Sequence, residues 1–129
     1  MKLVQQIYKG GSILKITGSI KQDTLILYFD GELDHHTATA TREAIDNMIQ
    51  RYRFGKVIFN LSSLTFIDSS GIGVFYGRRR MIRLDGGRCA IVGVTKRIER
   101  FIHVSGLDKA FELYKDEDEA LAVWSEACV

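Results

Sequence analysis

Residues 56–94 read KVIFNLSSLTFIDSSGIGVFYGRRRMIRLDGGRCAIVGV, and this stretch decides the fold. It opens with KVIFNL (56–61), a short, almost wholly apolar run of the kind that forms a strand buried on both faces of a sheet. It closes with a second such run, CAIVGV (89–94). Between them lie a loop over 62–68 and a segment from Ser69 or Ser70 to Leu84 with helical spacing of its apolar residues, stopped by Asp85-Gly86-Gly87. Strand, helix and strand in that order make a parallel pair with a right-handed crossover.

Upstream, TLILYFD (24–30) is rich in β-branched and large apolar residues and reads as a central strand. Residues 12–20 alternate more loosely, as an edge strand would, and join it through a hairpin turn at Gln22-Asp23. From 37 to 52, Ala40, Ala44, Ile45, Met48 and Ile49 recur at three- and four-residue steps and predict an amphipathic helix. Downstream come a helix over 96–104 ended by Ser105-Gly106, a short strand over 111–114 and an acidic-started helix over 116–127. The alternation predicts an α/β fold, a mixed, mostly parallel β-sheet with helices packed on it. Residues 1–23 read as an N-terminal strand and extension, and 24–129 as the remainder of one continuous domain. The functional edge of such a sheet lies outside the carboxyl ends of its parallel strands.

The chain has 129 residues, the size of one domain. Its 46% hydrophobic and 26% charged residues exclude a disordered or low-complexity class. A net charge of +2 argues against a general polyanion binder. The first residues, MKLVQQ, are broken by polar groups too early for a signal peptide, and no later run approaches a membrane span. A cytoplasmic chain with no membrane partner is expected. Cys89 and Cys128 lack metal-ligand or disulfide-framework spacing and read as plain thiols.

Two segments could carry chemistry. In GELDHHT (31–37), the adjacent Asp34, His35 and His36 diverge too much to chelate a metal together, and Asp34 reads as satisfying backbone N–H groups where the next helix begins. In FIDSSGIGV (66–74), two hydroxyls stand beside an acid at the mouth of a helix, where unpaired N–H groups and the dipole favour a phosphate. Catalytic motifs fail on spacing. No Lys lies between Asp68 and Gly87 for a phosphate-cradling loop, the glycines at 71, 73 and 77 miss the dinucleotide pattern, and Asp68 stands where a nucleophile elbow needs glycine. Neither an enzyme nor a cofactor or metal site is predicted.

On a helical wheel, Gly71, Val74, Phe75, Met81 and Ile82 share the core face, while Ser69, Ile72, Gly73, Tyr76, Arg80 and Arg83 lie opposite. Ile72 and Tyr76 as apolar anchors around the bare Gly73 suit a docking helix, although they could instead pack under a neighbouring loop. Arg78, Arg79, Arg80, Arg83 and Arg88 against Asp85 read as a basic helix face, ordinarily a solvated one. The last 22 residues carry seven acids against two lysines, which argues against nucleic acid and for a protein partner with an acidic patch.

At these residues the sequence resembles the anti-sigma factor antagonists of the STAS family, in GELDHHTA (31–38), FNLSSLTFIDSSGIGVFYGR (59–78), the glycine pair before CAIVGV, and Ser105-Gly106-Leu107. The first motif is especially similar to the sporulation branch, although this chain is longer at its N-terminus and more basic at Arg79-Arg80-Met81. The resemblance implies that the unphosphorylated protein binds a GHKL-type serine kinase that is also an anti-sigma factor, releasing the sigma factor. It further implies phosphorylation at Ser69, the serine directly after the Asp, and dephosphorylation by a PP2C-type phosphatase. The surface that the kinase grips would then comprise Asp34, His35, Thr37, Asp68, Ser70, Gly71, Ile72, Gly73, Tyr76 and Arg80. A monomer is expected when the protein is unbound. The competing readings are a small-ligand sensor for nucleotides and an unswitched scaffold of a stress or secretion pathway.

Overall fold

The computed structural model describes residues 2–53 and 55–126. Seven strands form one sheet: β1 (Lys2–Lys9), β2 (Ser12–Lys21), β3 (Thr24–Leu33), β4 (Lys56–Asn60), β5 (Leu64–Ile67), β6 (Arg88–Val92) and β7 (Glu112–Tyr114). The helices are α1 (Ala38–Tyr52), α2 (Ser69–Leu84), α3 (Lys96–Ser105), α4 (Leu107–Ala110) and α5 (Glu117–Glu126). The sheet runs β1-β2-β3-β4-β6-β7, with β5 pairing β3 where β4 has ended. The first three strands pair antiparallel and all later pairs are parallel. The predicted mixed α/β sheet is therefore the observed fold.

The apolar strands serve two cores at once. Leu25, Leu27, Phe29 and Leu33 of β3, Val57 and Phe59 of β4, and Ile91 of β6 point to one face, where α1 to α4 cover them. Ile26, Ile58, Ala90 and Val92 point to the other, under Ala120 and Trp124 of α5. An alternating period would have left one face wet; the unbroken runs bury both. At the centre, the rings of Phe29, Phe59 and Phe75 meet with centroids 5.3 to 6.2 Å apart. Burying each such side chain contributes about 1.5–3 kcal/mol.

Four expectations are corrected. Residues 12–20 are not an edge strand, because β1 pairs with β2 along its length, from Lys2 opposite Ser19 to Lys9 opposite Ser12. The loop over 62–68 contains β5, four residues that extend the parallel part of the sheet to the end of β3. On α2, Met81 is exposed and Arg78 is buried in its stead, its Nε 2.9 Å from Asp46 Oδ1 of α1. The arginine run is correspondingly not one solvated face: Arg79 Nε donates to the Ala110 carbonyl at 2.7 Å, and Arg88 Nη2 donates to Glu112 at 2.7 Å. Arg80 and Arg83 remain exposed.

Cys89 is a free, buried thiol whose pKa is pushed up to about 11 by burial, which favours the protonated form. Cys128 lies outside the described residues. Among those described, no helix is long and apolar enough to cross a membrane.

Candidate functional site

The two singled-out segments meet at the carboxyl ends of β3 and β5. Parallel pairing sets Leu33 opposite Ile67, so the chain leaves both strands at one level and turns into α1 and α2 side by side. Asp68 is the joint. Its Oδ1 accepts from the backbone N–H groups of Ser70 at 2.9 Å and Gly71 at 3.1 Å, capping α2. Its Oδ2 accepts from the His35 N–H at 3.0 Å, and its own N–H donates to the Leu33 carbonyl at 3.3 Å. One carboxylate thus fixes both the start of α2 and its position against the preceding loop.

Asp34 organises that loop from the inside. Buried at 7% exposure, its carboxylate accepts from the N–H groups of His36 at 2.9 Å and Thr37 at 3.1 Å, and from the Ser12 hydroxyl. Burial pushes the Asp34 carboxyl up, but these bonds and the neighbouring His36 outweigh it and hold it below its ordinary value. The sequence reading has Asp34 satisfy donors at the start of the helix; the donors it satisfies belong instead to the turn before α1, whose N-cap, Thr37, makes no side-chain capping bond. Thr37 is fully buried and donates to the Glu32 carbonyl at 2.9 Å. Gly71 is buried because the loop lies close against it: a Cβ there would stand 2.5 Å from the Leu33 carbonyl oxygen.

Facing outward are Ser69, at the first position of α2, and His35 and His36, whose rings lie 3.8 Å apart. Ser70 is half-buried beside them. Farther along α2 the predicted stripe divides. Gly73 is exposed. Ile72 and Tyr76 are half-buried against the core, as the plainer reading of the wheel allowed, and the Tyr76 hydroxyl donates to the Ser105 carbonyl at the end of α3 at 2.6 Å. Arg80 is exposed but lies about 16 Å along the helix from Ser69. The structure brings Asp34, His35, Thr37, Asp68, Ser69, Ser70 and Gly71 together and leaves Arg80 apart.

Sequence reasoning missed the N-terminal contribution. The β1–β2 turn, Gly10-Gly11, has positive φ at both residues, +56° and +84°, and sets Gly10 so close to the His36 ring that a Cβ would stand 2.2 Å from Nδ1. Adjacent glycines between two strand-like segments are a hairpin signal, and could have been read as one.

Chemically, the site is a capped helix start presenting one exposed hydroxyl. Among the described residues no three of His, Cys, Asp and Glu gather to hold a metal ion. A phosphate on Ser69 would sit at the positive end of the α2 dipole without breaking the cap, which Asp68 makes to the next two residues.

The STAS domain family matches residues 14–120. An anti-sigma F factor antagonist of Paenibacillus polymyxa is 38% identical over 108 residues, 84% of this chain and 92% of the relative. Among solved structures, an anti-sigma factor antagonist from Mycobacterium paratuberculosis is 25% identical with a TM-score of 0.76, covering 85% of this chain and 92% of its own. The Bacillus cell fate determinant SpoIIAA in its phosphorylated form is 28% identical with a TM-score of 0.64, covering 83% of this chain and 96% of its own.

Proposed function

Since this chain belongs to the STAS domain family, we propose that it is an anti-sigma factor antagonist, a binding protein whose grip on an anti-sigma factor is switched by phosphorylation of Ser69. The observation that carries the reading is the exposed hydroxyl of Ser69 at the first position of α2, directly after a cap that holds two loops as one surface. The unphosphorylated surface docks on a serine kinase of the GHKL type that doubles as the anti-sigma factor, and a PP2C-type phosphatase restores it. A relative, SpoIIAA, whose structure is known in a phosphorylated form, supports such a switch.

The physics favours a switch by surface charge. A phosphate adds roughly −1.5 to −2 charges at neutral pH. At a helix N-terminus the dipole tolerates that charge, so the fold remains while charge and bulk enter the docking surface. An unmatched charge trapped in an interface costs several kcal/mol, enough to weaken binding about a hundredfold.

The experiment is to incubate the protein with ATP and the serine-kinase anti-sigma factor of its own organism, then map phosphate by mass spectrometry. One phosphate on Ser69, absent from Ser69→Ala, is the expected result. Phosphate placed elsewhere, with Ser69→Ala modified as fully as the parent, overturns it.

A further inference from the structure

The sheet face that α5 covers is left open at its N-terminal side. Outward side chains alternate along β1 and β2, and register places Tyr8 opposite Ile13. The β2–β3 ladder ends with Leu14 opposite Gly31, which leaves Ile13 and Glu32 one residue beyond it on the same side, and past a register shift Glu32 opposes Phe66 of β5. Tyr8, Ile13, Glu32 and Phe66 therefore form one row across four strands, with Tyr8 62%, Ile13 50% and Phe66 45% exposed. The inward neighbours Ile7, Leu14, Leu33 and Ile67 are all buried, which fixes the direction of the row.

This row adjoins the site. Phe66 precedes Ser69 by three residues, and the Glu32 carbonyl accepts from Thr37. The turn that carries Tyr8 and Ile13 is clamped to the same loop by the Ser12–Asp34 hydrogen bond and by Gly10 against His36. We infer that Tyr8, Ile13 and Phe66 form the apolar part of the surface that docks the anti-sigma factor, so that the N-terminal hairpin enlarges the interface beyond its phosphate-bearing end. The inference rests on the proposed function and adds to it Tyr8 and Ile13, which the family match leaves out, since that match begins at residue 14.

The arrangement has the anatomy of an interface: aromatic and aliphatic anchors beside a polar, chargeable edge.

The test is titration calorimetry with the purified serine-kinase anti-sigma factor of the same organism, using the parent protein, Ser69→Asp, Val4→Thr and the double variant Tyr8→Thr, Ile13→Thr. Threonine keeps the strand preference. Val4 is exposed on the same face about 13 Å farther down β1 and serves as the control. The double variant should bind at least about tenfold more weakly, with Val4→Thr unchanged. Tyr8→Thr alone should show a smaller loss in the same direction should the double variant unfold. Parent-like binding by these Tyr8 variants, with Ser69→Asp binding lost, overturns the inference and leaves the proposed function standing. A parent that binds no such kinase removes both. A parent dimer in sedimentation that the double variant turns into a monomer assigns the row to self-association and also overturns the inference.

Discussion

The backbone N–H of His35 donates to Asp68 Oδ2 at 3.0 Å, while the other oxygen of the same carboxylate caps α2. The two loops that carry the recognisable motifs are thereby joined, and the position of Asp68, directly before Ser69, depends on a residue 33 positions earlier in the chain.

Removing that joint has a stability cost. Asp68→Ala deletes the cap and the link to His35, and should destabilise the fold by about 1–2 kcal/mol in urea unfolding. Asp68→Asn keeps one acceptor oxygen and should lose less. Because the loops come apart, the partner affinity of Asp68→Ala should fall by more than that of Asp68→Asn.

Two glycines of α2 should respond oppositely. At Gly71 a Cβ collides with the Leu33 carbonyl, so Gly71→Ala should lower both the melting temperature and partner binding. At Gly73 a Cβ meets nothing within 4 Å, so Gly73→Ala should stabilise the helix by about 1 kcal/mol. If Gly73 lies in the docking face, the same variant binds its partner more weakly despite the firmer fold. Calorimetric unfolding and binding measured side by side separate the two effects.

The buried ion pair between helices makes a third case. Asp46→Ala leaves Arg78, 7% exposed, without its carboxylate, and should cost about 3 kcal/mol. Arg78→Met removes the charge with its burial penalty and should cost distinctly less. Chemical denaturation of both variants gives the order directly.

The wheel failed at this pair, and its failure is informative. Helical periodicity placed Met81 in the core because it knows only one helix; Arg78 is buried because α1 supplies Asp46 across the packing interface. The same limit hid β5, whose four residues become a strand by pairing with the end of β3, and β1, whose KLVQQIYK lacks the unbroken apolar run of the central strands. By contrast, the central strands, the four longer helices and the Asp34 turn were legible, because apolar runs buried on two faces and side chains bonded to nearby backbone are local facts. The site was legible as two motifs but not as one object. What joins them, Asp68 to His35 and the N-terminal turn to His36 and Asp34, is made by contacts between residues far apart in the chain.

Acid should loosen the loop between β3 and α1. In the folded protein Asp34 is held below its ordinary value, so its ionised form contributes stability above the unfolded carboxyl range, and that contribution is lost as pH falls through the lower, folded value. Parent and Asp34→Asn should therefore differ most near about pH 7 and converge below about pH 4 in urea midpoints. A gap that stays constant with pH would show that the Asp34 charge is not what holds the loop.

The central claim is that one phosphate on Ser69 changes the docking surface and leaves the fold alone. Its most direct measurement is the affinity of the serine-kinase anti-sigma factor for the unphosphorylated and the Ser69-phosphorylated protein, by calorimetry under the same conditions. The account predicts binding by the first and about a hundredfold weaker binding by the second, with unchanged secondary structure. Equal affinity of the two forms would contradict it.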